Sequence, residues 1–415
     1  MTFRTFQSLH VRCRNMYQSL YPALPMSQTR ISPIQTFFEN KQNAYTVAFA
    51  PDSKRFAAAG GLRAVFVYEV GKPEAIGGLA DHRQSVYAML FSKSGKYFIT
   101  TGRDGMVIIY DAHNFDKLAT LLSPQLGANY ISVARYHKPE SEGRVMISDG
   151  VETVEVQGLR GIYDALHYIF YELNKTEPET ARCGALIREA FEKAGKAASQ
   201  REVIFSNPQL LPNYALALNH DETELYVGAS GGALKVFRMS DFSLARVIPL
   251  HAGNIRTIAL SPNGDLLATG SSDRLVKILD AKTFEVLHTI EGHGDSVFSV
   301  AFSPDGKLFI TGGKDARLRV WTVEGKSIKP KVKVLAHTFS IKAMTFLNDG
   351  KELLTVSQDK TIKLWDIQNV QCKETIDRTC GGHTFTINTV ALSPDERYLV
   401  TGSDDKTVKL WELKK

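Results

Sequence analysis

The sequence predicts an all-β chain built from repeated four-stranded antiparallel units. A histidine is followed by a hydroxyl 18 residues on, an aspartate 22 on and a tryptophan 28 on, in three copies: His293, Thr311, Asp315 and Trp321; His337, Thr355, Asp359 and Trp365; His383, Thr401, Asp405 and Trp411. Chance does not give three such registers, and self-similarity at a fixed period marks a repeat architecture. Between the markers, β-rich runs such as "VFSVAFS", "LFITGG" and "LRVWTV" are separated by turn signals such as "SPDG", where proline and Asp-Gly make a type I turn easy. With 415 residues, 43% hydrophobic and 23% charged, the chain can bury a large core without a metal or a disulfide.

Residues 1 to 32 read as an N-terminal extension. Within it Phe3, Phe6, Leu9, Cys13, Met16, Tyr17, Leu20 and Leu24 share one helical face opposite Arg4, Gln7, Arg14, Asn15 and Gln18, and Pro22 and Pro25 end the pattern. This acid-free amphipathic stretch reads equally as a mitochondrial presequence, a surface-binding helix, or a disordered extension, one that is absent if translation starts at Met26. The apolar run "ISPIQTFF" follows, and the repeats begin near Asn40. The first copy has lost the polar set, with Asn40, Leu62 and Tyr68 at marker positions; the next keeps His82 and Asp104, with Tyr110 in the tryptophan position.

After strand-like runs "NYISVARY", "RVMISDG" and "VETVEVQ", the period changes from two to 3.6. Residues 161 to 198 hold two helical stripes separated by Asn174 and Lys175, and Thr176, Pro178 and Glu179 make a capping-box start, so a helical hairpin is expected there. Tyr163, His167 and Tyr171 form a second stripe on its first helix, a candidate docking surface. Two further copies precede the three complete ones, with Gln209, Gly231 and Phe237, then His251, Asp273 and Leu279, at marker positions.

These residues resemble the Trp-Asp (WD) repeat family from about Asn40 onward, most specifically over residues 251 to 415. The resemblance implies a β-propeller of radially packed blades spanning residues 33 to 415, with the last blade completed by a strand at residues 33 to 38 from the other end of the chain. Innermost strands starting near 44, 86, 129, 213, 254, 296, 340 and 386 give a count of eight four-stranded blades, with the hairpin inserted in blade 3. Seven is the alternative, because blade 3 is irregular. The resemblance also implies a non-catalytic scaffold or adaptor, part of a multiprotein complex, that binds a protein or peptide. From another class, the alternative is a stable subunit of a ribonucleoprotein or ribosome-assembly particle.

A histidine, a hydroxyl and a carboxylate could form a base, a nucleophile and an orienter, but that chemistry needs one site with an oxyanion hole. Here the set recurs blade after blade, which argues for a structural network within each unit. No catalytic residue, metal ligand or cofactor is assigned, and Cys372, Cys380 and His383 lack zinc-type spacing. No window approaches the roughly 18 apolar residues of a spanning helix. Four dispersed cysteines suit a reducing compartment, so a cytoplasmic or nuclear location is expected, with a mitochondrial one as the alternative through residues 1 to 25.

The net charge is +6, and Arg4, Arg12, Arg14 and Arg30, with no acid among residues 1 to 38, account for most of it. The body is nearly neutral, so direct nucleic-acid binding is not expected. Binding is expected on the rim formed by the loops before strand a and between strands b and c. The fifth residue after each histidine marker gives Tyr45, Tyr87, Tyr214, Arg256, Phe298, Lys342 and Asn388, and the residue before the aspartate marker adds Arg103, Ser272, Lys314, Gln358 and Asp404. The basic members favour an acidic or phosphorylated peptide.

Overall fold

The computed structural model describes residues 30–38, 41–123, 125–126, 129–130, 132–136, 145–148, 153–156, 211–347 and 349–414. Among them, seven antiparallel blades close into a ring. Their innermost strands are Ala44–Phe49, Val86–Phe91, Asn213–Leu218, Ile255–Leu260, Val297–Phe302, Ile341–Leu347 and Ile387–Leu392. Each packs against the next, and the last packs against the first. In blades 1 to 6 the chain steps outward from strand a to strand d by hydrogen-bonded neighbours, and in blade 7 from strand a to strand c.

The ring therefore has seven blades, not eight. The segment counted as an innermost strand near residue 129 does not line the ring. Ser132–Tyr136 pairs antiparallel with Lys117–Leu122, the outer strand of blade 2, and Val145–Ser148 and Thr153–Val156 continue outward, so blade 2 is a sheet of seven strands. Val86–Phe91 packs directly beside Asn213–Leu218, leaving no place for a blade between them. A short β-rich run reads the same in sequence whether its strand faces the axis or extends a blade. The expected hairpin at 161–198, with Tyr163, His167 and Tyr171, lies outside the described residues.

Ile31–Phe37 pairs antiparallel with Val408–Leu413 and is the fourth strand of blade 7. Its ends are pinned. Ile31 and Phe37 are 1% exposed, and the Phe37 ring packs on Phe56 and Tyr68 of blade 1 at 5.5 and 4.6 Å. At its start the Arg30 guanidinium pairs with Glu352 of blade 6, while the Arg30 backbone N–H donates to Glu374 at 3.2 Å. One residue thus ties blades 6 and 7 together through carboxylates that are nearly out of solvent. Across the other seam a Cβ on Gly402 would sit 2.9 Å from the Ala44 Cβ, so glycine lets blades 7 and 1 meet.

The core is divided into wedges between neighbouring blades. One wedge joins Leu354, Val356 and Leu364 of blade 6 to Leu399 and Trp411 of blade 7; another joins Ile99 and Ile109 of blade 2 to Leu225 and Phe237 of blade 3. Strand b of each blade is buried along its length, apart from its first residue in blades 1, 3, 5 and 7, because both of its faces are covered by neighbouring sheets.

Candidate partner-binding rim

The rim is positioned by two devices repeated around the ring. The first is a polar network within the blade. In blade 6 the His337 Nδ1 lies 2.9 Å from Asp359, its Nε2 lies 2.8 Å from the Thr355 hydroxyl, and the Trp365 indole N–H donates to that hydroxyl at 2.9 Å. Blade 7 repeats the set with His383, Asp405, Thr401 and Trp411 at 2.8, 2.8 and 2.9 Å. Blades 2 and 4 keep the first two links through His82, Asp104 and Thr100, and His251, Asp273 and Thr269.

The aspartate has a second task. Asp359 also accepts the backbone N–H groups of Thr338 at 3.0 Å and Thr361 at 3.1 Å, so one carboxylate fixes both loops of the rim. Burial works against its ionisation, but the adjacent His337 and its hydrogen bonds, with those of Thr361 and Thr338, outweigh that and hold the carboxyl well below the usual carboxylate range. Burial likewise pushes His337 and His383 down despite their carboxylates. With every polar atom of His383 engaged, it is not available to a metal beside Cys380.

Blade 5 is built differently. Arg319 wedges into the network, its guanidinium 2.7 Å from Asp315 and 2.8 Å from the His293 Nδ1, while His293 and Asp315 stand 3.6 Å apart. A guanidinium has no lone pair to offer, so the His293 Nδ1 must accept and the proton must sit on Nε2, facing Thr311 at 2.9 Å. That is the opposite tautomer from blades 6 and 7, where Nδ1–H donates to the carboxylate. The Trp321 indole then stands back, at 3.4 Å from Thr311, and is only partly buried.

The sequence pattern did not single out the strand c cation. Lys277, Lys363 and Lys409 donate to the Leu250, Ala336 and Gly382 carbonyls, each one residue before the marker histidine, and Arg319 reaches Gly292 in the same way. The recurring basic residue two before the tryptophan position, as in "KLW" and "RVW", is the signal that could have found it.

The second device is a bulge. In each blade the register between strands a and b slips by one residue at the second position of strand a: between Ala44 and Thr46, Val86 and Ala88, Asn213 and Ala215, Ile255 and Thr257, Val297 and Ser299, Ile341 and Ala343, and Ile387 and Thr389. The extra residues are Tyr45, Tyr87, Tyr214, Arg256, Phe298, Lys342 and Asn388. A bulge leaves its extra residue outside the ladder and re-aims the side chain. Beside each, the b–c turn is stitched to the approach to strand a, as in the Arg103 N–H to Ser85, the Ser272 N–H to Asn254 and the Lys314 N–H to Ser296, at 2.8 to 2.9 Å.

These half-buried side chains form two arcs. On one, Tyr45 and Tyr87 have ring centroids 5.9 Å apart, Tyr87 stacks on Tyr214 at 5.2 Å, and the Arg256 guanidinium lies 4.1 Å over Tyr214. On the other, the Lys342 ammonium lies 4.6 Å over Phe298, and Asn388 donates to Asp404 at 2.7 Å. Arg256 donates to the Ser272 hydroxyl at 2.9 Å, Lys314 pairs with Asp295 at 2.9 Å, and Arg103 is exposed. Burial lowers the Lys342 pKa, and Arg256 and Lys314 push the same way against Asp404, so the three cations act on one another.

A family model described as WD domain, G-beta repeat matches residues 73–111, 242–280, 284–322, 329–366 and 374–412. Each match runs from the outer strand of one blade through the three inner strands of the next, and the matches fall on blades 2, 4, 5, 6 and 7. Those are the blades with the histidine–aspartate network. A search of curated proteins returned no match.

Proposed function

Because this chain is a seven-bladed WD-repeat β-propeller, a fold whose members are typically non-catalytic protein-interaction scaffolds, we propose that it is an adaptor whose rim receives an acidic or phosphorylated segment of a protein partner. The observation that carries this reading is the repeated bulge, which presents three tyrosines, one phenylalanine and two cations at one level of the ring. Aromatic and arginine side chains dominate interface hot spots because they bury large area at small entropic cost. Arg256 is held by Tyr214 and Ser272, so it meets a carboxylate or phosphate with little ordering left to do.

The test is charge reversal at Arg256→Glu/Lys314→Glu, chosen because Lys342 is too buried to reverse without risk to the fold. The variant is expected to melt like the wild type and to lose the partner that the wild type retains from a cell extract. Wild-type binding is expected to weaken as salt rises. Undiminished binding by the variant would remove the rim from the account.

A further inference from the structure

Two loops of the ring depart from the others in chemistry. Two residues after the marker histidine, blades 2, 4 and 5 carry Gln84, Gly253 and Asp295, whereas the adjacent blades 6 and 7 carry Phe339 and Phe385. Both rings are turned to solvent, 43% and 58% exposed. Large apolar groups exposed on neighbouring loops mark a contact surface.

Their surroundings are cationic. The Lys360 ammonium lies 5.4 Å over the Phe385 ring, and Lys360 is exposed. Lys342, three residues after Phe339 on the same approach to strand a, lies over Phe298, and Arg256, which acts on Lys342, lies over Tyr214. Lys314 is engaged by Asp295, while Arg256, Lys342 and Lys360 have no ion-pair partner among the described residues; Asp404, held by Asn388, remains charged and offsets part of the Lys342 charge. The loops of blades 6 and 7 therefore offer exposed apolar rings within a few residues of the bulged positions, together with cations.

Resting on the rim reading above, we infer that the partner segment is an acidic peptide that also carries apolar side chains, its Asp and Glu groups over Arg256 and Lys342 and its apolar groups on Phe339 and Phe385. A purely acidic chain would leave the two rings wet. A purely apolar one would bury the cations without a counter-charge, at the cost of their desolvation. Only the combination satisfies both the rings and the cations.

The experiment pans a random dodecapeptide display library on the full chain, then measures the enriched peptides against two variants by fluorescence anisotropy. Enriched sequences are expected to combine acidic residues with leucine, phenylalanine or tryptophan. They are expected to lose affinity about tenfold on Phe339→Ser/Phe385→Ser, as removal of a buried apolar contact would give. They are expected to lose binding on Arg256→Glu/Lys314→Glu. Acidic peptides with no apolar preference, indifferent to the phenylalanine variant, would overturn this inference and leave the rim reading standing. Enriched peptides indifferent to charge reversal, or no enrichment at all, would overturn both.

Discussion

Blades 6 and 7 and blades 1 and 3 share four strands and a bulge but have opposite interiors. Blades 6 and 7 bury histidine, threonine, aspartate and tryptophan in one hydrogen-bonded set. At the corresponding positions blade 1 has Ala58, Leu62 and Tyr68, and blade 3 has Val227, Gly231 and Phe237. Blade 1 fills the space with stacked rings, Phe56 on Tyr68 at 5.0 Å. Histidine, hydroxyl and aspartate are kept or lost together, while the tryptophan varies, with Tyr110 and Leu279 in its place in blades 2 and 4: a lone buried imidazole or carboxylate would be left unsatisfied. The rim does not depend on which solution a blade uses, because the bulge and the stitched b–c turn occur in both kinds.

The largest effect is expected at the tryptophans. Trp411 is 0% exposed and Trp321 is only partly buried, so Trp411→Ala should cost about 3–5 kcal/mol and Trp321→Ala roughly half of that in denaturant unfolding. Equal losses would show that the Arg319 wedge does not loosen blade 5. Next in size is Asp359→Ala, expected to cost about 1–3 kcal/mol by stranding His337. Combined with His337→Leu, the loss should fall short of the sum of the two singles by about 0.5–3 kcal/mol, and strict additivity would refute the unit behaviour.

A smaller effect is expected with pH. The buried histidines are held below the ordinary value of about 6.5, so the unfolded chain takes up protons first as the solution is acidified. Their contribution is full above about pH 6.5 and declines as pH falls toward their folded values. The aspartates, also lowered, keep theirs above about pH 4 and lose it as pH falls through their folded values. Melting temperature should therefore fall in two stages on acidification, and the His337→Leu/Asp359→Ala variant should show a shallower profile. A flat wild-type profile between pH 7 and 5 would contradict the assignment. The subtlest sign is spectroscopic: imidazole nitrogen shifts should place the proton of His293 on Nε2 and those of His337 and His383 on Nδ1. One tautomer throughout would remove the wedge's consequence.

The complete copies were legible because a fixed spacing between four polar residues survives any reading of secondary structure. The blade count was not, because the strands at 132–136, 145–148 and 153–156 read like ring strands in sequence and only pairing shows that they extend blade 2. Arg319 stands where other blades carry the strand c lysine, and nothing in its neighbours announces that it reaches between His293 and Asp315. Phe339 and Phe385 sit in apolar-poor loops where exposure cannot be read from a pattern. A bulge has no residue signature, yet counting five residues from each histidine arrives at the bulged position, because the loop before strand a has the same length in each blade that keeps its histidine.

The most direct test of the account is where a partner touches the ring. A photo-crosslinking amino acid placed at Phe298 on the rim, and in a second protein at Ile34 on the outer strand of blade 7, samples two faces that are both accessible, Ile34 being 49% exposed. The account predicts partner adducts from the Phe298 position and none from the Ile34 position. Adducts from Ile34 alone would place binding on the outer edge of the blades and contradict the rim.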